Sequence, residues 1–176
     1  MSETPQQYTT RLTGYVQGLD HLKVLQSTPK SIARMIKGKT SSALSKPPAP
    51  GKWSISEILA HLAEGEIVFG YRLRLVVSAT GTPIQAFDQD IWQANAGYLR
   101  KDPQQAFDLF SRLRASNVAF LKSLTKEQWD DFGMHAERGR ESVTRMAELY
   151  AGHDVNHLKQ IELIVRSKKK PSFAEG

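Results

Sequence analysis

Two histidines, His153 and His157, stand four residues apart near the end of the chain, and a third, His61, lies inside an earlier apolar segment. On a helix, four residues amount to about one turn, so the rings of the pair share a face roughly 6 Å apart along the axis and can chelate one ion. Projected at helical period, the stretch from Val143 to Ile164 carries an apolar stripe of Val143, Met146, Leu149, Tyr150, Ile161 and Ile164, with both histidines in its middle. They are expected to face inward, where imidazole nitrogens need a hydrogen-bond partner each or a shared cation. With His61 the pair looks like a three-imidazole metal site.

The chemistry of such a site follows from its donors. Three neutral imidazoles leave a divalent ion its full charge and at least one open position, at which water or an external thiol is activated. The chain has no cysteine, so any thiol reaction draws its sulfur from a small molecule. Nitrogen donors suit zinc, nickel and iron alike, and the sequence does not choose among them. Asp154 follows His153 where the H-E-x-x-H motif of zinc proteases has its glutamate, but it is one methylene shorter and the strand context of that fold is missing. It reads as a tether off the ligand face. Candidate catalytic groups are Asp88, Asp90, Asn117 and His135, each with an ordinary alternative as a loop cap or a hydrogen-bonded buried group. Trp92, Tyr71 and Phe87 are candidate pocket aromatics.

The elements that must position these residues are helical. Asp20 or Leu19 opens a short amphipathic piece, and Thr28-Pro29 reads as an N-cap with proline at the first helical position, followed by Ile32, Met35, Ile36 and a stop at Gly38. Residues 39–52, rich in Ser, Pro, Ala and Gly, form a connector. Ser54-Ile55-Ser56-Glu57 is a capping box opening a helix to about Val77, with His61 on the flank of its stripe and Gly65, one turn on, leaving space beside the ring. Residues 78–100 read as a loop and a short helix that form a lid. Asp102-Pro103 caps a third helix with a stripe of Ala106, Leu109, Phe110, Leu113, Phe120, Leu121 and Leu124, and Asn117 at its centre. A loop at 132–139 leads to the last helix, capped by Ser142. No run shows β alternation, so four principal helices imply an all-α bundle with the metal site between facing helices.

At 176 residues with 40% apolar positions, the chain is one domain's length and can bury a core. It lacks an apolar run long enough to span a membrane, and residues 1–10 lack a secretory leader's hydrophobic region, so it is expected to be soluble and cytoplasmic. The net charge of +6 is unevenly placed: residues 1–50 carry +5 and residues 164–176 carry +3, leaving −2 for the stretch that holds the three histidines. That distribution argues against a nucleic-acid partner and for solvated basic ends.

Lys52-Trp53-Ser54-Ile55-Ser56-Glu57 with His61, Phe87-Asp88-Gln89-Asp90, His135 with Gly139, and Ala151-Gly152-His153-Asp154-Val155-Asn156-His157 together resemble the DinB-like superfamily. The resemblance runs from about Asp20 to Ile164. It implies a four-helix bundle with an up-down-down-up path, a divalent metal on His61, His153 and His157, His135 near the pocket, and frequently a homodimer. The superfamily contains hydrolase-like proteins, bacillithiol transferases and mycothiol-dependent isomerases. The expected organisation is an arm or extra helix at 1–18, the bundle domain at 19–167 and a basic tail at 168–176. The expected function is a metal-dependent hydrolase or thiol S-transferase acting on a small molecule, with a non-catalytic metal- or ligand-binding bundle as the alternative.

Overall fold

Short polar side chains start the helices by accepting from backbone amides that have no partner inside the helix: Thr4, Asp20, Ser54 and Asp102 each do so, and Ser54 and Glu57 form the full reciprocal box. In the computed structural model, residues 3–86, 88–95, 97 and 102–167 are described, with the backbone alone at 89, 90 and 93. The chain runs through α1 (Pro5–Gly14), α2 (His21–Ile36), α3 (Ser41–Ser45), α4 (Ile55–Ser78), β1 (Thr82–Ile84), α5 (Gln89–Asn95) and α6 (Pro103–Ser123). A 3-10 turn (Glu127–Trp129), β2 (Phe132–His135), β3 (Gly139–Ser142) and α7 (Val143–Ser167) complete it.

Shared cores fix the path of the four long helices α2, α4, α6 and α7. Ile32 and Ile36, late in α2, pack with the early residues Ala106 and Phe110 of α6 and the late residues Ile161 and Ile164 of α7. Leu25, early in α2, packs instead with Val118 and Leu121 of α6 and Met146 and Ala147 of α7. So α2 runs with α7 and against α6. The start of α4, Ile55 to Ala63, joins the first cluster, and its later residues Phe69, Leu73 and Val76 join the second, which makes α4 parallel to α6. The result is an up-down-down-up four-helix bundle.

Two local features depart from the sequence expectations, and a third selects the helix from the two alternatives, arm or extra helix, open for residues 1–18. Pro29 does not begin a helix: α2 is continuous from His21 to Ile36 with Pro29 inside it. A proline removes the donor for the carbonyl four residues earlier, here Leu25. The Arg114 guanidinium of α6 donates to that carbonyl at 3.0 Å, so the helix passes through the proline without a buried orphan. Second, the expected 132–139 loop is a hairpin, with β2 antiparallel to β3 and parallel to β1. Strands of three and four residues are too short to show alternation, and Gly139, with φ near +74°, supplies the left-handed turn residue. Third, residues 5–14 form an added helix laid on α7, so close at Gly152 that a Cβ there would stand 2.2 Å from the Leu12 carbonyl oxygen.

Between the two apolar clusters lies a polar layer. Arg114 donates to Asp154 of α7 and to Glu66 of α4 at 2.7 Å, and Asn117 donates to both the Glu66 carbonyl and its carboxylate. With the Leu25 carbonyl, this one guanidinium joins all four bundle helices. No helix among the described residues is long and apolar enough to cross a membrane.

Candidate metal centre

His61 comes from α4, and His153 and His157 from successive turns of α7, which crosses α4 antiparallel. The three Nε2 atoms converge: His153 Nε2 lies 2.9 Å from that of His61 and 3.0 Å from that of His157. His61 and His157 are buried and His153 nearly so. The rings sit at tilted or edge-on angles to one another, with centroids 4.4–5.0 Å apart, so their nitrogens and not their faces meet. Trp53, just before the helix cap, stacks parallel to His157 and closes one side.

All three imidazoles are held neutral. Burial pushes His61 and His153 well below the ordinary histidine value, helped by the neighbouring histidines, and lowers His157 to about 4 against the opposing hydrogen bond from Gln160. That bond also sets the tautomer. Gln160 Oε1 can only accept, so Nδ1 of His157 carries the proton at 2.8 Å and its Nε2 presents a lone pair to the cluster. Neutral nitrogens with inward lone pairs are the state in which histidine takes a cation.

A cleft of about 580 Å³ opens on His61 and His153, walled by Tyr8 and Leu12 of α1, Leu149 and Tyr150 of α7, and Arg72 of α4. Gly65 keeps it open: no atom lies within 4 Å of where its Cβ would stand. A second groove, of about 730 Å³, reaches His157 from the side of Trp53, Lys52 and Leu163. The helix α1 stands between the two, fixed by Arg11, which donates to Asn156 of α7 at 2.9 Å and pairs with Glu3.

The candidate catalytic residues separate. Asp88 lines the same cleft as His61 and His153 and accepts from the Ile91 amide at 3.0 Å, whereas the side chain of Asp90 lies outside the described residues. Asn117 belongs to the polar layer, not the cleft. His135 sits at the end of β2, 3% exposed, accepts from the Glu137 amide at 3.2 Å, and leaves its buried Nε2 without a partner; it is not in the cleft wall, although Glu137 and Arg138 beyond it are. Asp154 is the tether its position implied, bound to Arg114. Of the expected pocket aromatics, Tyr71 and Trp92 are exposed away from the cleft wall and Phe87 lies outside the described residues; Tyr8 and Tyr150 serve instead. Sequence reasoning missed Arg114 because α6 is rotated from its expected face: Leu109 is 44% exposed and Arg114 is inside. The signal was the positional series 106, 110, 114, 117, 121, whose two polar members share a face with the apolar ones.

Residues 25–161 match the DinB superfamily. The chain belongs to that superfamily. The chain is similar to the protein named "Putative metal-dependent hydrolase YfiT" from Bacillus subtilis, 24% identical over 147 residues, 82% of each chain. "Putative metal-dependent hydrolase GK0616" from Geobacillus kaustophilus is 22% identical over 167 residues, 94% of this chain and 91% of that one. The solved structure of YfiT, described as having an unusual four-helix bundle topology, superposes with a TM-score of 0.78 at 20% identity, covering 97% of this chain and 92% of its own. The fold is therefore the DinB-superfamily bundle.

Proposed function

We propose that this protein is a metal-dependent enzyme in which His61, His153 and His157 hold one divalent ion, and that it activates water or an external small thiol against a small-molecule substrate entering by the cleft. The observation that carries the reading is the meeting of three neutral imidazoles, two of them buried, at their Nε2 atoms. Imidazoles stacked nitrogen to nitrogen are a poor hydrogen-bonded set, since His157 presents a lone pair there, and a good donor set for a borderline cation. A divalent ion in that set supplies a Lewis acid that lowers the pKa of a water or thiol beside it. The names of the relatives, metal-dependent hydrolases, support the same reading.

The chain's own residues divide the remaining work. Gln160 holds the His157 ring in the ligating tautomer, Trp53 stacks on that ring beside the second groove, and Gly65 leaves the first cleft open at His61. Asp88, at the cleft wall, is the carboxylate placed to accept a proton from a nucleophile. Metal analysis of purified protein tests the reading: about one divalent ion per chain is expected, falling to a small fraction in His157→Ala. Protein without stoichiometric metal, or unchanged metal content in that variant, would overturn it. An ion whose coordination is closed by protein atoms alone would favour a structural role.

A further inference from the structure

The two buried arginines among the described residues are treated differently by the fold. Arg114, 2% exposed, has two carboxylates, Glu66 and Asp154. Arg72, 7% exposed, has none: no described carboxylate forms an ion pair with it, and its guanidinium donates only to the neutral carbonyl of Gln85. None of the Arg72 nitrogens is a buried atom without a partner, whereas Arg114 Nε is, so the Arg72 donors not used on Gln85 reach the solvent of the cleft and are open to an oxyanion. Arg72 also faces the site. It lies on the same face of α4 as His61 and Gly65, eleven residues from His61 and thus about 16 Å along the axis, and it lines the same cleft. Its Cα–Cβ bond tilts towards the helix N-terminus, the His61 end, and its guanidinium reaches the Gln85 carbonyl. The wall has an apolar and aromatic part, from Tyr8, Leu12, Leu149 and Tyr150, and a charged part, from Glu3, Asp88, Glu137 and Arg138.

We propose that the cleft takes small amphipathic acids: Arg72 pairs with a carboxylate or phosphonate-type oxyanion at one end of the molecule, while the reactive end reaches the histidine trio across the open space at Gly65. The planar fork of the guanidinium matches two oxygens of either acid. The reactive end rests on the metal reading given above; the acidic end rests on Arg72 alone.

The test uses the full chain loaded with cobalt(II), whose visible spectrum reports a thiol joining the coordination sphere. Unbranched ω-mercapto acids of three to eight carbons are titrated beside their neutral amides and beside the matching ω-mercaptoalkyl phosphonates. The expected result is that at least one acid binds about tenfold or more tightly than its amide, with an optimum at one chain length that spans the cleft. In Arg72→Met the acid should fall to within about twofold of the amide while the amide is unchanged. A preference for carboxylate over phosphonate, or the reverse, names the acid group and supports the proposal either way. Equal binding of acid and amide by the wild-type protein at every length overturns it, as does a preference that survives in Arg72→Met. The wild-type comparison stands by itself if that variant does not fold. Thermal stabilisation of the metal-free protein by the acids, but not the amides, separates the two readings. Anion preference without metal binding sinks the metal reading alone, and metal binding without anion preference sinks this one alone.

Discussion

At His157 one side chain does two jobs, giving Nε2 to the cluster and Nδ1–H to Gln160. The amide of Gln160 is thus what decides which nitrogen is free. Gln160→Leu is expected to weaken metal affinity by about 10–100-fold without removing a ligand, whereas Gln160→Glu, which keeps an acceptor, should retain most of it; competition with a chromogenic chelator reads both. An unchanged affinity in Gln160→Leu would show that burial alone fixes the ring. The three ligand candidates were legible as residue types and spacings, because H-x-x-x-H on an apolar stripe leaves few alternatives. Gln160 was not, since nothing in the sequence sets its rotamer against a particular ring nitrogen.

Among the elements, α1 is held on α7 by the Arg11–Asn156 hydrogen bond and by one very close backbone approach. Gly152 of α7 lets the Leu12 backbone come so near that any side chain there must displace α1. Gly152→Ala should therefore cost about 1–3 kcal/mol and expose α1 to proteases, measured by denaturant unfolding and limited proteolysis; an alanine variant with wild-type stability and protection would refute that packing. The consequence reaches the site, because Tyr8 and Leu12 form one wall of its cleft. Helix starts were readable at Ser54 and Asp102 because caps are local chemistry, and Pro29 was misread for the same reason. Locally a proline ends or begins a helix; here Arg114, 85 residues further on, supplies the donor it lacks.

For the whole molecule, burying neutral histidines makes stability depend on pH in a definite direction. His157 and His135 are lowered to about 4 in the fold, both chiefly by burial, against 6.5 for a solvated imidazole. Above about pH 6.5 neither state binds the proton and their contribution is constant; as pH falls towards 4 the unfolded chain takes up protons that the folded chain refuses, so stability is lost. Metal-free protein should show a denaturation midpoint that declines steadily between pH 6.5 and 4. A flat profile over that window would mean that these rings are solvated. His61 and His153, lowered by the same burial, add to the decline, which should be smaller in His135→Asn, a change that removes one of the four groups without touching the trio.

What the sequence determined by itself is what local periodicity and donor chemistry can carry: four amphipathic helices, their caps, an inward-facing histidine pair, a third histidine with room beside it, and the absence of any thiol. The tertiary structure decided which faces meet. It turned α6 so that Arg114 and not Leu109 is inside, because the two terminal nitrogens of one guanidinium meet Glu66, Asp154 and the Leu25 carbonyl only when four separate helices arrive together. It also brought Arg72 to the cleft with no ion pair to a described carboxylate, which no spacing along one helix encodes.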